Sequence, residues 1–361
     1  MSDKVNVKIE GKQKSYPIYI DTDPIDEIKD RIMQSIDFQN FLVVMSEKVY
    51  KLYSAALGFD KNDIFILKDG EIEKNFQNYQ KIIKRCEEKK LNRKSALIAV
   101  GGGVVGDITG FAAATYMRGI KFIQVPTTLL ACVDSSVGGK VAIDTKFGKN
   151  LVGAFYQPDA VFENLNFLKT LDERQLKSGL AEVIKYAFIE KSCNATFDYG
   201  LFDFLSIHYQ KVLDLNLRFL SKIIRVCIEL KISVVSKDEQ EANLRKILNF
   251  GHTYAHAIET ITNYKQFTHG EAVAYGMFFI FNYAHYLKII DANYKEAATD
   301  LLKKFGFEDK KFKFDKKKIF QIMHSDKKAE NFDIKVILPL MKGYVKEGTL
   351  DKNAVLKAGL L

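Results

Sequence analysis

The chain has 361 residues, 47% of them hydrophobic, with 54 Lys and Arg against 45 Asp and Glu and a net charge of +9. That length supports two domains with cores of their own; no apolar run approaches the roughly 20 residues of a membrane helix, and Cys86, Cys132, Cys193 and Cys227 form no CxxC pair and read as free buried thiols rather than a disulfide scaffold. The basic excess comes from 46 lysines spread along the chain and only eight arginines; a nucleic-acid binder usually concentrates its basic residues on one element, a basic surface also draws in a small polyanionic substrate, and charge alone does not separate the two.

Residues 1–10 alternate charged and apolar groups without the apolar core of a signal peptide, so a cytoplasmic location is expected. Residues 5–9 and 16–20 predict two strands around a turn at Gly11 and Lys12. Pro24 introduces a helix carrying Ile25, Ile28 and Ile32. Strands are expected at 41–45, 63–67 and 96–100, with helices up to about Leu57, where Gly58 stops the helix, and over roughly 74–90. Strand and helix alternate, which predicts a parallel sheet covered by helices. Beyond Pro158 no proline occurs until Pro339. Apolar-periodic segments at 172–190, 201–235, 240–262, 269–288 and 293–305 predict an all-α part, followed by a last strand at 334–340. The fold expected is therefore α/β plus all-α: a Rossmann-like parallel-sheet domain over 1–172 and a helical domain over 173–361.

The stretch 101–158 holds a dense set of glycine-lysine turns. Gly101-x-Gly103-x-x-Gly106 follows a strand and precedes a helix expected to begin near Asp107, the context that the dinucleotide fingerprint demands. No acidic residue ends the next strand, 121–126, where a ribose-binding carboxylate would stand; Asp107 is a substitute. Gly138-Gly139-Lys140 and Gly148-Lys149-Asn150 add backbone and ammonium donors for phosphate.

Arg245, Asn249, His252 and His256 are spaced 4, 3 and 4 apart, which on one α-helix gives a polar stripe among apolar neighbours. Lysine and glutamate would be usual on a solvated face, so the stripe points to a cavity lining. Thr268 and Glu271 form a T-x-x-E capping box that puts His269 in the first turn of a helix, where the dipole favours a neutral imidazole. His252 or His256, with His269 and a carboxylate, would make a three-ligand metal site with open positions. Glu182 is the carboxylate candidate, with Lys185 one turn on. HTYAH lacks the glutamate of a metalloprotease HExxH.

These motifs together make the chain similar to the 3-dehydroquinate synthase family. The segments DGEIEK, GGGVVGD, ATYMRG, QVPTTLLACVDSSVGGK, GKNLVGAFYQP, FLKT, GLAEVIK, LRKILNFGHTYAHAIE, HGEAVAYGM and SDKK carry the resemblance, over residues 69–339. It implies Glu182, His252 and His269 as ligands of zinc or cobalt. It implies NAD contacts at Asp69, Gly70, Glu71, Ile72, Glu73, Lys74, Gly103, Val104, Val105, Gly106, Asp107, Thr127, Thr128, Lys140, Lys149, Phe167, Leu168, Lys169 and Thr170. Around the substrate it implies Asp134, Lys140, Asn150, Lys185, Lys231, Arg245, Asn249, His256 and Lys327. Arg118 matches an arginine that reaches the phosphate site of a neighbouring subunit, which implies a homodimer. Cys132 and Ala255 depart from the family pattern, where Gln and Gly are usual. The reaction implied takes 3-deoxy-D-arabino-heptulosonate 7-phosphate to 3-dehydroquinate and phosphate. It proceeds by transient oxidation, phosphate β-elimination, re-reduction and aldol closure. Another sugar-phosphate cyclase, or a metal-dependent polyol or glycerol dehydrogenase, is the alternative.

Overall fold

The computed structural model describes residues 3–8, 15–193, 200–310, 312, 314–325 and 333–361. The chain divides into two compact units, Met1–Leu171 with Leu220–Ile232, and Asp172–Phe219 with Ser233–Leu361.

The first unit is built on strands β1 (Asp3–Val7), β2 (Tyr16–Asp21), β3 (Phe41–Ser46), β4 (Ile64–Leu67), β5 (Ala96–Gly101) and β6 (Lys121–Pro126), then a hairpin of β7 (Lys140–Thr145) and β8 (Gly148–Phe155), and β9 (Ala160–Asn164). The main sheet has the order β1-β2-β9-β6-β5-β3-β4. Only β1 runs antiparallel, against β2; β2, β9, β6, β5, β3 and β4 are parallel. Helices α1 (Ile28–Ser35), α2 (Glu47–Leu57), α3 (Phe76–Glu88) and α4 (Gly103–Thr115) connect them. Alternation along the strands explains the two layers. Leu42, Val44, Leu97 and Ala99 join Ile82 and Ile108 in one core, while Val43, Met45, Ile98 and Val100 join Ile32 and Leu57 in another. A strand buried on both faces reads as a continuous apolar run, which is why β3 and β5 stand out in the sequence.

Local chemistry ends the elements where expected. Ser46 caps α2 by accepting from Val49 N, and Gly58 stops it at φ 63°. One boundary moves: α4 begins at Gly103, not near Asp107, because the turn after β5 is complete by Gly102. The hairpin of β7 and β8 was not expected as strands. It pairs Lys140 with Phe155 and Ile143 with Val152.

The second unit contains α5 (Glu173–Ile189), α6 (Leu201–Leu213), the ends of α7 (Leu217–Val235), α8 (His252–Ile261), α9 (His269–Tyr286), α10 (Ala292–Lys304) and α11 (Lys316–Ser325). A hairpin of β10 (Lys335–Met341) and β11 (Tyr344–Thr349) and a short α12 (Lys352–Lys357) complete it. Two expected helices are broken. The segment 201–235 bends at Leu215, with φ 53°. The segment 240–262 is a 3-10 turn, Leu244–Asn249, followed by α8, with Gly251 at φ 77° between them. α9 packs against both α5 and α8. Its capping box forms as expected: Glu271 N donates to Thr268 Oγ1, and Thr268 N donates to Glu271 Oε2. Among the described residues, no helix is long and apolar enough to cross a membrane.

Candidate metal centre and dinucleotide cradle

Three helices of the second unit each bring one side chain to a common point. Glu182 lies mid-way along α5 and is wholly buried, while His252 and His269 open α8 and α9. One ligand atom from each lies within 4.8 Å of the others. Glu182 Oε1 is 3.5 Å from His252 Nε2 and 3.6 Å from His269 Nε2, and the other carboxylate oxygen pairs with Lys185 on the next turn. Two imidazole nitrogens and one carboxylate oxygen suit zinc or cobalt, and three protein ligands leave positions for substrate. The donor set therefore fits a catalytic cation. His256, one turn after His252, stays outside this cluster; its ring centre is 5.6 Å from that of His252 and 6.4 Å from that of His269.

The two ring environments differ. Burial drives His252 down to about 3, against the pull of Glu182. Its Nδ1 donates to the Phe250 carbonyl at 3.1 Å, which leaves Nε2 with its lone pair towards Glu182. For His269, burial also favours the neutral ring, but Glu182 and Glu259 outweigh it and raise the ring to about 10. Two carboxylates flank the ring and oppose the helix dipole's preference for the neutral imidazole, the form that a cation requires. Glu259, 3.4 Å from His269 Nδ1 and 3% exposed, was not singled out in the sequence. The available signal was its position seven residues after His252, two turns along the same face.

The four-residue polar stripe does not exist as one helical face. Gly251 adopts a left-handed conformation between Asn249 and His252, so only His252 and His256 share a helix. Arg245 is buried and donates from Nη1 to the Glu239 carbonyl at 2.5 Å. Asn249 Nδ2 donates to Glu241 Oε1 at 2.5 Å. Lys185 is 1% exposed and stacks over the Tyr186 ring. Lys327 lies outside the described residues.

In the first unit, the residues expected to bind a dinucleotide gather at the carboxyl ends of parallel strands. Asp69 to Lys74 follow β4, Gly103 to Asp107 follow β5, Thr127 and Thr128 follow β6, and Phe167 to Thr170 follow β9. Sheet order reverses between β3 and β5, the switch point where such sheets bind ligands. Gly102 caps α4 with no side chain, leaving the first amides of a 13-residue helix to a phosphate. A Cβ on Gly103 would come within 3.1 Å of Ser135 Oγ, and one on Gly102 within 3.1 Å of Thr128 Cγ2. The cradle thus fits a pyrophosphate. Val105, Phe167 and Leu168 are buried among core side chains, so only their backbones can reach a ligand. Ile72 is 81% exposed.

Lys74 ties this cradle to the hairpin of β7 and β8. Its Nζ donates to Asp107 Oδ2 and to Asn150 Oδ1, both at 2.5 Å. Burial alone would lower the Lys74 pKa, but Asp107, Glu71 and Asp144 hold it above its ordinary value. Asn150, at φ 55°, donates its backbone N–H to Asp144 Oδ1. Lys149 pairs with Glu71 at 3.5 Å. Asp134 stands on a π-helical turn, Ala131–Ser135, and accepts from Lys231 Nζ through both its main-chain and side-chain oxygens. Lys140 is exposed at the head of β7, and exposed Arg118 follows Met117 with both in the left-handed region, at φ 64° and 52°.

Comparison with known proteins divides the chain within α5, close to the break after Leu171. Residues 64–178 match the model of the 3-dehydroquinate synthase N-terminal domain, and residues 179–329 match that of its C-terminal domain. The chain is 42% identical over 358 residues to 3-dehydroquinate synthase of Caldanaerobacter subterraneus subsp. tengcongensis, covering 97% of this chain and 98% of that one. Among solved structures it is similar to 2-deoxy-scyllo-inosose synthase complexed with carbaglucose-6-phosphate, NAD+ and Co2+, at 26% identity and TM-score 0.80, with 98% of each chain covered. The 2-epi-5-epi-valiolone synthase of Streptomyces hygroscopicus subsp. jinggangensis shares the fold at TM-score 0.85 and 21% identity, with 97% of each chain covered.

Proposed function

The chain belongs to the 3-dehydroquinate synthase family, and we propose that it converts 3-deoxy-D-arabino-heptulosonate 7-phosphate to 3-dehydroquinate and phosphate. The observation that carries this reading is the convergence of Glu182, His252 and His269 within 4.8 Å.

The first unit is the NAD-binding part and the second supplies the metal ligands. A zinc or cobalt ion held by Glu182, His252 and His269 would acidify a substrate hydroxyl, and NAD+ on the cradle would take up a hydride and later return it, leaving no net redox. Asp69, Gly70, Glu71, Ile72, Glu73 and Lys74, with Gly103 to Asp107, Thr127, Thr128, Lys149 and Phe167 to Thr170, shape the dinucleotide site.

The remaining residues bind charge and orient the sugar. Because Lys74 donates to Asn150 Oδ1, the Asn150 amide offers its N–H end to an anion. Lys140, Asn150, His256 and Arg118 hold the phosphate as it departs, where negative charge develops. Arg118 does so across a homodimer, its exposed position suiting a reach beyond its own subunit. Arg245, with its fork geometry, and Lys231 bind the substrate carboxylate and neighbouring oxygens, and Asn249 beside Arg245 favours the acidic substrate. Lys231 keeps Asp134 oriented towards the hydroxyls, and Lys185 and Lys327 complete the cationic lining.

The test is direct. Purified protein, the heptulosonate phosphate, NAD+ and Zn2+ should release phosphate in step with 3-dehydroquinate while NADH does not accumulate. NADH accumulation from a polyol without phosphate release would make the protein a dehydrogenase. Turnover of a hexose phosphate in place of the acidic heptulosonate would make it a different cyclase.

A further inference from the structure

We propose that Glu259 is a positioning residue for the metal centre, fixing the His269 ring so that Nε2 faces Glu182 and His252. The inference rests on the reading of those three residues as cation ligands and adds a fourth residue, which lies against His269. Glu259 stands near the end of α8, two turns after His252, and is 3% exposed. Its Oε1 lies 3.4 Å from His269 Nδ1, while His269 Nε2 lies 3.6 Å from Glu182 Oε1. The ring is therefore held between two carboxylates on opposite edges, one from α8 and one from α5.

His252 shows the same arrangement with a weaker acceptor. Its Nδ1 is taken by the Phe250 carbonyl, and its Nε2 points to the same Glu182 oxygen. Both imidazoles thus have Nδ1 committed to an oxygen and Nε2 turned inwards. The difference lies in the second partner: a neutral carbonyl for His252, a carboxylate for His269. An oxygen acceptor on Nδ1–H fixes tautomer and orientation, and an anionic acceptor also makes Nε2 the stronger donor to a cation. His269 needs this more, since it opens α9 and is more exposed than His252, with side-chain exposure of 31% against 10%. Glu259 also links the end of α8 to the start of α9, so one side chain ties two ligand-bearing helices together.

The test uses the full chain freed of metal with a chelator and titrated with Co2+, following the visible absorption of the bound ion. Unaltered protein should bind Co2+ with a four- or five-coordinate spectrum. Glu259→Ala should weaken binding about 10- to 100-fold and change the spectrum. Glu259→Gln, which keeps an oxygen acceptor but not the charge, should recover part of the affinity. Circular dichroism and thermal midpoints without metal separate a positioning effect from loss of fold; if Glu259→Ala does not fold, Glu259→Gln and Glu259→Asp carry the comparison. Unchanged Co2+ affinity and spectrum in folded Glu259 variants would overturn the inference while leaving the ligand set intact. Failure of the unaltered protein to bind Co2+ would overturn both.

Discussion

Gly276, two turns into α9, packs directly on the backbone of Gly251, so closely that a Cβ at position 276 would overlap the Gly251 carbonyl oxygen. Gly251 itself precedes His252 and holds φ 77°. The contact thus sets the approach of α9 to the start of α8, which carries His252. Gly270 makes a similar contact with the Ser178 backbone on α5, and its N–H donates to Ser178 Oγ at 3.0 Å. Spacing between the ligands is a backbone property before it is a side-chain one.

Gly276→Ala should therefore cost more than an ordinary helix substitution. Alanine favours the helix by about 1 kcal/mol over glycine, but the forced separation opposes it, and overpacking typically costs about 1–3 kcal/mol. The expected result is a lower denaturation midpoint together with weaker Co2+ binding, because the displaced element carries His252. A variant as stable as the parent, with equal metal affinity, would show that α8 and α9 can part without disturbing the cluster.

His269 and His256 should separate cleanly in metal content. His269→Ala removes one of the three proposed ligands, so bound zinc should fall to background after dialysis and turnover should be lost, while NAD+ binding on the first unit should persist. His256→Ala should retain zinc, since Glu182, His252 and His269 make the cluster without it, but should raise KM or lower kcat through the phosphate. Elemental analysis with NAD+ titration checks both. Full zinc occupancy in His269→Ala would remove that histidine from the ligand set.

The sheet and the residue types of the candidate cation cluster were legible in the sequence, and the reasons differ by element. β3 and β5 are buried on both faces, so their runs are apolar without interruption. The capping box at Thr268 and Glu271 placed the start of α9 because two side chains there satisfy helix amides. Choosing His252 over His256 on residue patterns alone was not possible: both lie on α8, one turn apart, and only the position of His269 distinguishes them. The polar stripe failed at Gly251, where one left-handed residue breaks the helical period. The hairpin of β7 and β8 escaped notice because its glycines and lysines read as turns. Glu259 was missed because its partner comes from another helix, which spacing within one segment cannot reveal.

Glu163, at the heart of the first unit, offers a test by pH. It is fully buried in β9, and the Ser136 hydroxyl donates to its Oε1 at 3.4 Å. Burial pushes its pKa well above the ordinary 4.5, the Ser136 bond opposing this and the Asp21 charge adding to it. Folded protein thus keeps a proton that the unfolded chain releases above about pH 4.5. The stabilisation is complete below that value and is lost as pH rises towards the folded pKa, by at most about 1.4 kcal/mol per pH unit. Glu163→Gln removes the titration while keeping an acceptor for Ser136. Its thermal midpoint should rise relative to the parent between pH 5 and pH 8. Parallel curves over that range would mean that Glu163 titrates alike in both states.

Arg118 tests the homodimer by complementation. Met117 and Arg118 both hold left-handed conformations, which residues with a Cβ adopt at a cost, and the arginine is exposed. If it completes the neighbouring subunit's phosphate site, Arg118→Ala and His269→Ala chains should each be inactive alone, yet active when unfolded together and refolded. In a mixed dimer, the Arg118→Ala chain keeps its metal ligands and receives the arginine of its partner, while the other site lacks both. Random pairing makes half the dimers mixed, so roughly a quarter of the parent activity should return in a closed two-fold dimer. An Arg118 that served its own subunit could not be supplied in this way, and the mixture would remain as inactive as its components.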